Sequence, residues 1–393
     1  MKKPKLKASL LLFFTIISNT IFTQSLGDIS FGTDSTFDVV TWNIEWFPKN
    51  GTTTVDSVAK IISSLDVDLM GLQEILDTNL CRQMINNIPG YELFMDDNWF
   101  GGLAYVYKTS SVNVQSIYKI YDTSPYWSTF PRSPLVMELT YQGEKIIVIN
   151  NHFKCCGDGI LDMGNTSDEE FRRFQASNLL KQYIDDNFPT KRVMIIGDLN
   201  DLINDVSPNN VYQAFLDDNA NYLFADESIA LGPSAFWSFP NWPSHLDHIL
   251  VTNELFSDLQ SVETIVQTIR VDNFLIGGFS MYDYYISDHR PVGMKIKINP
   301  LTEIEETNEN NISIFPNPTD GHLSIDLSRT CSETNIKIFD LFGKELKSMK
   351  FYGNKLIDFQ FEEPPGIYLI MVENGTQKSV VKVIKSNSQT LRN

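Results

Sequence analysis

The sequence predicts an α/β protein: a four-layer sandwich of two mostly antiparallel sheets flanked by helices, followed by a small C-terminal β-sandwich. Two observations lead there. Over residues 37–298, many short apolar runs of strand length alternate with a few helix-period segments. So many strands with so few helices can bury their faces only by stacking as two sheets. Beyond residue 312, short alternating strands recur roughly every ten residues, punctuated by Gly, Pro and Asn, the pattern of a small sandwich. The length of 393 residues suits such a division into domains.

The elements follow in order. Residues 1–23 read as a signal peptide: Lys2, Lys3, Lys5 and Lys7 precede the apolar run 8–17 and a small or polar stretch. That run is about ten residues, too short for a bilayer that needs roughly 20, so an exported protein without stable membrane insertion is expected. Residues 38–43 read as a strand, and Val55, Val58, Ala59, Ile62 and Leu65 fall at helical spacing. Strands are expected over 69–75, ending in Gln73-Glu74, and over 103–107, 135–139 and 146–151. Ser167 with Glu170 reads as a capping box before a helix carrying Leu180, Tyr183, Ile184 and Phe188. Strands over 192–196, 246–251 and 291–298 complete the first domain. Residues 299–311, NPLTEIEETNENN, form an acidic, polar linker, and the sandwich occupies 312–385.

Charge removes several function classes. The chain has 49 acidic and 31 basic residues, a net charge of −18, and residues 24–300 alone carry 36 acids against 17 bases. A broad cationic footprint for coating nucleic acid is therefore lacking. Four Cys without regular spacing exclude a disulfide-scaffold miniprotein and a multi-Cys zinc finger.

Polar residues gather at the predicted strand ends: Asn43, Glu74, Asn151 with His152, Asp198 with Asn200, Asp247, and Asp288 with His289. Each carboxylate alone reads as a turn or helix cap. As an ordered set at strand ends, aimed into one crevice, they read as a site. Hard oxygens, amides and two His suit a Mg²⁺-type phosphoryl site rather than zinc or iron.

The motifs TWNIEWF, LMGLQEI, VINNHF, IIGDLND, SHLDHIL and ISDHRPV together resemble the endonuclease/exonuclease/phosphatase superfamily, the deoxyribonuclease I-like fold. The resemblance spans nearly all of 38–298, and its strength lies in the complete ordered series. It implies a divalent-metal-dependent hydrolase of phosphate esters. Glu74, Asp288 and Asn43 are expected to hold the ion, Mg²⁺ or Mn²⁺. His289 is expected to act as general base with Asp247 orienting its imidazole. Asp198 and Asn200, two apart and so on one side of a strand, would position the nucleophile. His152 would donate a hydrogen bond or proton to the phosphate, and Arg132, in FPRSPLV, resembles the family's phosphate-contacting Arg.

Several neighbours receive plainer readings. His245 and His248 are expected to satisfy local hydrogen bonds, Asp201 to cap a turn, and Arg172 and Arg173 to lie on a solvated helix face. Glu45 is as well suited to solvent as to supporting the site. Packing is favoured over base stacking for the pairs Trp99-Phe100, Tyr126-Trp127 and Trp237/Trp242. A bridge from Cys155 or Cys156 to Cys81 is conceivable in an exported protein. The acidic stretch 158–170 could hold a structural Ca²⁺, although EF-hand spacing is missing.

In the C-terminal domain, ISIFPNP, IKIFDLFGKEL and GIYLIMVENGTQKSVVKVIK resemble the type A sorting domain of the type IX secretion system. The resemblance implies a secreted or cell-surface protein handled by that machinery. With an exported enzyme and extracellular DNA as a plentiful phosphodiester, the expected activity is a non-specific endonuclease acting on DNA. Phospholipase C or sphingomyelinase-like and phosphomonoesterase activities on the same fold are alternatives. A non-catalytic surface-binding protein with a decayed site is the alternative of another class.

Overall fold

The computed structural model describes residues 25–95, 101–300, 312–340, 343–374 and 377–386. The segment 1–23 expected as a signal peptide, the Trp99-Phe100 pair, residues 301–311 of the expected linker and the final residues 387–393 lie outside them. The chain divides into two compact units, Met1–Asn299 and Pro300–Asn393.

The first unit contains twelve strands in two six-stranded sheets. They are β1 (Phe37–Phe47), β2 (Leu69–Ile75), β3 (Tyr91–Met95), β4 (Gly102–Lys108), β5 (Val112–Lys119), β6 (Leu135–Tyr141), β7 (Glu144–His152), β8 (Arg192–Asp198), β9 (Tyr222–Phe224), β10 (Asp247–Thr252), β11 (Ile265–Thr268) and β12 (Val292–Ile296). The sheet orders are β11-β12-β1-β2-β4-β3 and β5-β6-β7-β8-β10-β9. Among the described residues of this unit, only β1–β2 and β7–β8 pair in parallel. The main helices are α1 (Thr52–Leu65), α2 (Thr78–Asn86) and α3 (Glu169–Asn187).

Strand alternation generates the layers. In β1, Val39 faces the other sheet and packs with Met137, Val148, Ile196 and Ile249, while its neighbour Val40 packs with Ile61, Ile62 and Leu65 of α1. In β7, Val148 lies between the sheets, and Ile147 and Ile149 pack on Ala176, Leu180 and Ile184 of α3. Both faces of the central strands are thus apolar, which is why they appear in the sequence as continuous hydrophobic runs.

A polar clamp crosses the apolar interior close to the strand ends. Gln73 Nε2 donates to Asn150 Oδ1 at 2.8 Å, and Asn150 Nδ2 donates to the carbonyls of Leu72 and Ala104. The hydroxyl of Tyr105, fully buried, bonds the carbonyls of Leu135 and Val148 and accepts from Asn150 N. Although Gln73 Oε1 takes no partner, these buried bonds tie one sheet to the other.

Three sequence expectations need correction. The N-cap of α3 is Asp168, whose carboxylate accepts from Phe171 N at 2.7 Å; Ser167 lies one residue too early, and the Glu170 carboxylate turns away to Gly159 N and Arg173. Arg173 does not line a solvated face: it is 3% exposed and binds Asp201 and the carbonyls of Lys154 and Cys156, while Arg172 is half-buried against the Ser128 carbonyl. Cys81 lies on the buried face of α2 and is free, as are Cys155 and Cys156.

The second unit pairs β13 (Ser313–Phe315), β14 (His322–Cys331) and β17 (Asn354–Gln360) in one sheet. Its other sheet contains β15 (Thr334–Phe339), β16 (Glu345–Phe351), β18 (Gly366–Asn374) and β19 (Gln377–Lys385). Leu323, Ile325, Ile357 and Phe361 of the first half-sandwich enclose its core with Ile336, Ile338, Ile370 and Val372 of the other. Among the described residues, no helix is long and apolar enough to cross a membrane.

Candidate active site

Strand register assembles the polar residues in rows. In the second sheet His152 pairs with Asp198 across β7–β8, and Asp198 pairs with Asp247 across β8–β10. Residues opposite one another in a ladder share a face, so three chemical groups from three strands stand side by side. Gly197 makes this spacing possible: its φ is +149, and a Cβ there would sit 2.1 Å from the Asn151 carbonyl oxygen. No other residue fits between the two strands at this point.

The first sheet contributes the opposing row. Asn43 pairs with Gln73, after which the β1–β2 register shifts. Glu45, Trp46 and Glu74 all have positive φ, at 35, 51 and 63. Such left-handed geometry in non-Gly residues is strained and is stored at functional sites. It turns the Glu74 carboxylate so that it accepts from Trp46 N at 3.2 Å. Asn43 spans the sheets, with Nδ2 donating to Asp198 Oδ2 at 2.9 Å.

A loop closes the third side. Ser287 Oγ donates to the Asn43 carbonyl and accepts from His289 N, fixing the 287–289 segment on β1. Tyr282 donates its hydroxyl to the His289 carbonyl at 2.6 Å. Glu45 accepts from Asp288 N at 2.7 Å, so it supports the site rather than facing solvent. Phe239 packs on the His289 ring, with centroids 4.8 Å apart.

The sequence-derived residues converge as follows. His289 Nδ1 is 2.7 Å from Asp247 Oδ2, and its Nε2 is 3.7 Å from Asp198 Oδ2 and 4.0 Å from Asp288 Oδ1. His152 Nε2 is 3.5 Å from Asp198 Oδ2 and 3.8 Å from Glu74 Oε1. Asp198 Oδ2 thus lies between the two imidazoles. Arg132 is close enough for its charge to act on His152. Asn200 departs from the strand geometry expected of it: β8 ends at Asp198, and Asn200 adopts a left-handed conformation with φ 56. Its N–H donates to Asp198 and its side-chain amide to the Phe153 carbonyl.

Electrostatics divide the two His. Burial pushes the His152 pKa well below its ordinary value, and the positive charges of Arg132 and His289 add to that. Burial also works against charge on His289, but Asp247, Asp198 and Asp288 overcome it and hold its pKa well above the usual value. Asp198 is pushed up to about 7 by burial; His289 opposes this, and Asp247 and Glu74 reinforce it. Three buried atoms here take no hydrogen bond: Asp247 Oδ1, Asn151 Oδ1 and His152 Nδ1.

Sequence reasoning missed Ser287, Tyr282 and Phe239 as supports. Ser287 stood within ISDHRPV, where a hydroxyl beside two site residues was the available signal; Tyr282 and Phe239 had none. His245 and His248 both bond Asp226, and His248 Nε2 also meets the Asp201 carbonyl. Asp201 itself holds Arg173. Trp127 and Trp242, expected to pack, are 63% and 79% exposed.

The comparisons with known proteins agree on the architecture. A family model described as Endonuclease/Exonuclease/phosphatase family matches residues 40–289, and a Secretion system C-terminal sorting domain matches 313–386. No curated protein matches the chain. Among solved structures, D. rerio TDP2 complexed with single strand DNA product is 13% identical, covering 67% of this chain and 100% of that one with a TM-score of 0.50. A D. rerio TDP2 humanized by 14 mutations gives the same values. An endonuclease/exonuclease/phosphatase from Bacteroides vulgatus is 15% identical, covering 67% and 99%, with a TM-score of 0.48.

Proposed function

The chain belongs to the endonuclease/exonuclease/phosphatase family through residues 40–289 and ends in a secretion sorting domain that marks a secreted or cell-surface protein, and from this we propose that it is a divalent-metal-dependent phosphodiesterase, a non-specific endonuclease of extracellular DNA. The observation that carries the reading is the convergence of Glu74 and Asp198 on His152, and of Asp198, Asp247 and Asp288 on His289, each pair within 4.0 Å and the two imidazoles joined through Asp198.

A hard divalent cation suits this set. The Glu74, Asp288 and Asn43 donors are all oxygens, and the burial, reinforced by Asp247 and Glu74, that pushes Asp198 up is opposed by added positive charge. Glu74, Asp288 and Asn43 would hold Mg²⁺ or Mn²⁺, which would neutralise negative charge on the phosphate.

The protein's own residues supply the rest. Asp198 and Asp288, which with Asp247 raise the His289 pKa, would have their charge offset by the cation, so that His289 would offer a neutral Nε2 to the attacking water while Asp247 holds the Nδ1–H and stabilises the imidazolium that forms. Asp198 and Asn200 position the water. His152, kept neutral by burial, donates a hydrogen bond to a phosphate oxygen, and Arg132 binds the phosphate. The strand register fixes these groups before substrate arrives, so little reorganisation is needed.

DNA is favoured by the outside location, where it is an abundant phosphodiester. The fold is also that of a D. rerio TDP2 described with a single-strand DNA product. Residues 24–300, with 36 acids and 17 bases, imply a weak grip and multiple turnover. The test is plasmid nicking with and without chelator, run beside RNA, sphingomyelin and a phosphate monoester. Mg²⁺- or Mn²⁺-dependent nicking is expected; faster turnover of sphingomyelin or the monoester than of DNA overturns the substrate assignment.

A further inference from the structure

Beyond the catalytic centre, we propose that the loop after His152 is a structural Ca²⁺ site built from Asp158, Asp168 and Glu170. Each of the three brings a carboxylate oxygen within 4.8 Å of the others. Residues that fold the loop already use part of this set. Asp158 accepts from Ile160 N, Asp168 caps α3 through Phe171 N, and Glu170 Oε1 accepts from Gly159 N at 2.7 Å.

The second observation is Glu170 itself. It is 2% exposed, and its Oε2 is buried without any hydrogen-bond partner. An unmatched carboxylate oxygen in that position costs free energy unless a cation or donor meets it. The carboxylate lies against Gly157, where a Cβ would come within 2.1 Å of Oε1 and 2.5 Å of Oε2. Glycine at 157, with φ +112, therefore lets the Glu170 carboxylate sit directly against the backbone, one residue from Asp158.

Charge accounting supports a divalent ion. Arg173 meets Glu170 at 3.1 Å, but its Nε is bound to Asp201 at 2.7 Å. One guanidinium is thus shared by two buried carboxylates, and Asp158 and Asp168 add two more negative charges. Only oxygen donors converge, Asp158 is exposed and open to water, and an irregular oxygen cage is what Ca²⁺ accepts, whereas Mg²⁺ demands near-ideal octahedral geometry. A protein carrying a secretion sorting domain works where Ca²⁺ is abundant. Extracellular sites of this kind bind with Kd of about 10⁻⁴–10⁻³ M. Closing the 153–168 loop on an ion would fasten the segment between His152 and α3.

The experiment is thermal melting of the mature full chain against Ca²⁺ in excess Mg²⁺, with Tb³⁺ luminescence as a second readout. Wild type should gain Tm with Ca²⁺. Asp158→Asn, at an exposed position whose loss leaves the core intact, should shift the Ca²⁺ midpoint at least tenfold higher, and Glu170→Gln should do the same. Glu74→Gln should keep the wild-type midpoint, which separates this site from the catalytic one. No Ca²⁺ effect on wild type, an unchanged midpoint in Asp158→Asn, or loss of the effect in Glu74→Gln would each overturn the proposal.

Discussion

Asp247 holds His289 by a single oxygen: Oδ2 lies 2.7 Å from Nδ1, while Oδ1 is buried with no partner. The carboxylate therefore dictates which ring nitrogen carries hydrogen and leaves Nε2 facing Asp198 and Asp288. Replacing it by Asn puts an amide N–H in reach of Nδ1 and favours the opposite tautomer, with Nε2 unable to accept a proton. Because Asp247 is fully buried and acts through His289, we expect Asp247→Asn to lower kcat by about 10²-fold and leave KM nearly unchanged. A rise in KM with kcat preserved would contradict the positioning role.

His289→Ala and Glu74→Ala should each reduce plasmid nicking by at least about 10²-fold, the scale of a lost acid–base or metal function. The two are distinguishable by titrating the metal. Glu74→Ala should require more Mg²⁺ or Mn²⁺ for half-maximal activity, and His289→Ala should keep the wild-type requirement. Unchanged nicking by His289→Ala would show that another group accepts the proton.

Legibility in the sequence followed burial. β1, β2, β7, β8 and β10 lie inside their sheets and are buried on both faces, so they stood out as apolar runs, and the polar residues at their ends stood out with them. β3, β5, β9 and β11 are sheet edges; half-exposed and mixed in composition, they carried no comparable signal. The motif residues were visible as letters, but what fixes them was not. The Gln73–Asn150 clamp joins residues 77 apart, and the Ser287 bond to Asn43 joins residues 244 apart. Asn200 was misplaced because period-two reasoning fails once a strand ends in a left-handed residue. The α3 cap was read one residue early because Ser167 and Asp168 are both good caps and only φ, ψ and the Phe171 bond distinguish them.

Asp226 offers a stability prediction away from the chemistry. It is fully buried and shared by His245 and His248 at 3.0 and 2.6 Å. Burial alone would raise its pKa, but the charge of His248 and the bonds from both imidazoles bring it below the ordinary 3.8. For His248 the burial penalty is outweighed by Asp226, which raises its pKa above the ordinary 6.5. The signs then fix a window. The Asp226 contribution is complete above 3.8 and is lost as pH falls through its depressed folded pKa; the His248 contribution is complete below 6.5 and is lost as pH rises through its elevated one. Between those values both are present, and there Asp226→Asn should destabilise the fold by about 3 kcal/mol. Urea melts across pH should show the difference from wild type shrinking on either side; a constant difference at all pH would show that packing, not charge, is responsible.

Removing residues 312–393 should separate delivery from catalysis. The three cores of the first unit are built wholly from residues between Ile29 and Ile298, and the core of the second from residues 323–383 with flanking contacts from Ile312 and Ile314. Among the described residues each of these clusters lies within one unit, so the truncated chain retains the buried apolar side chains of the first unit's sheets and every residue of the candidate site. We expect it to fold, to nick plasmid with a kcat/KM within about twofold of the full chain, since surface changes away from cores cost little, and to remain in the periplasm while the full chain reaches the cell surface or medium. Fractionation followed by a nicking assay of each fraction reads both outcomes at once. Export of the truncated chain would show that residues 312–393 are not its address, and an inactive, unfolded truncation would show that the first unit depends on the second.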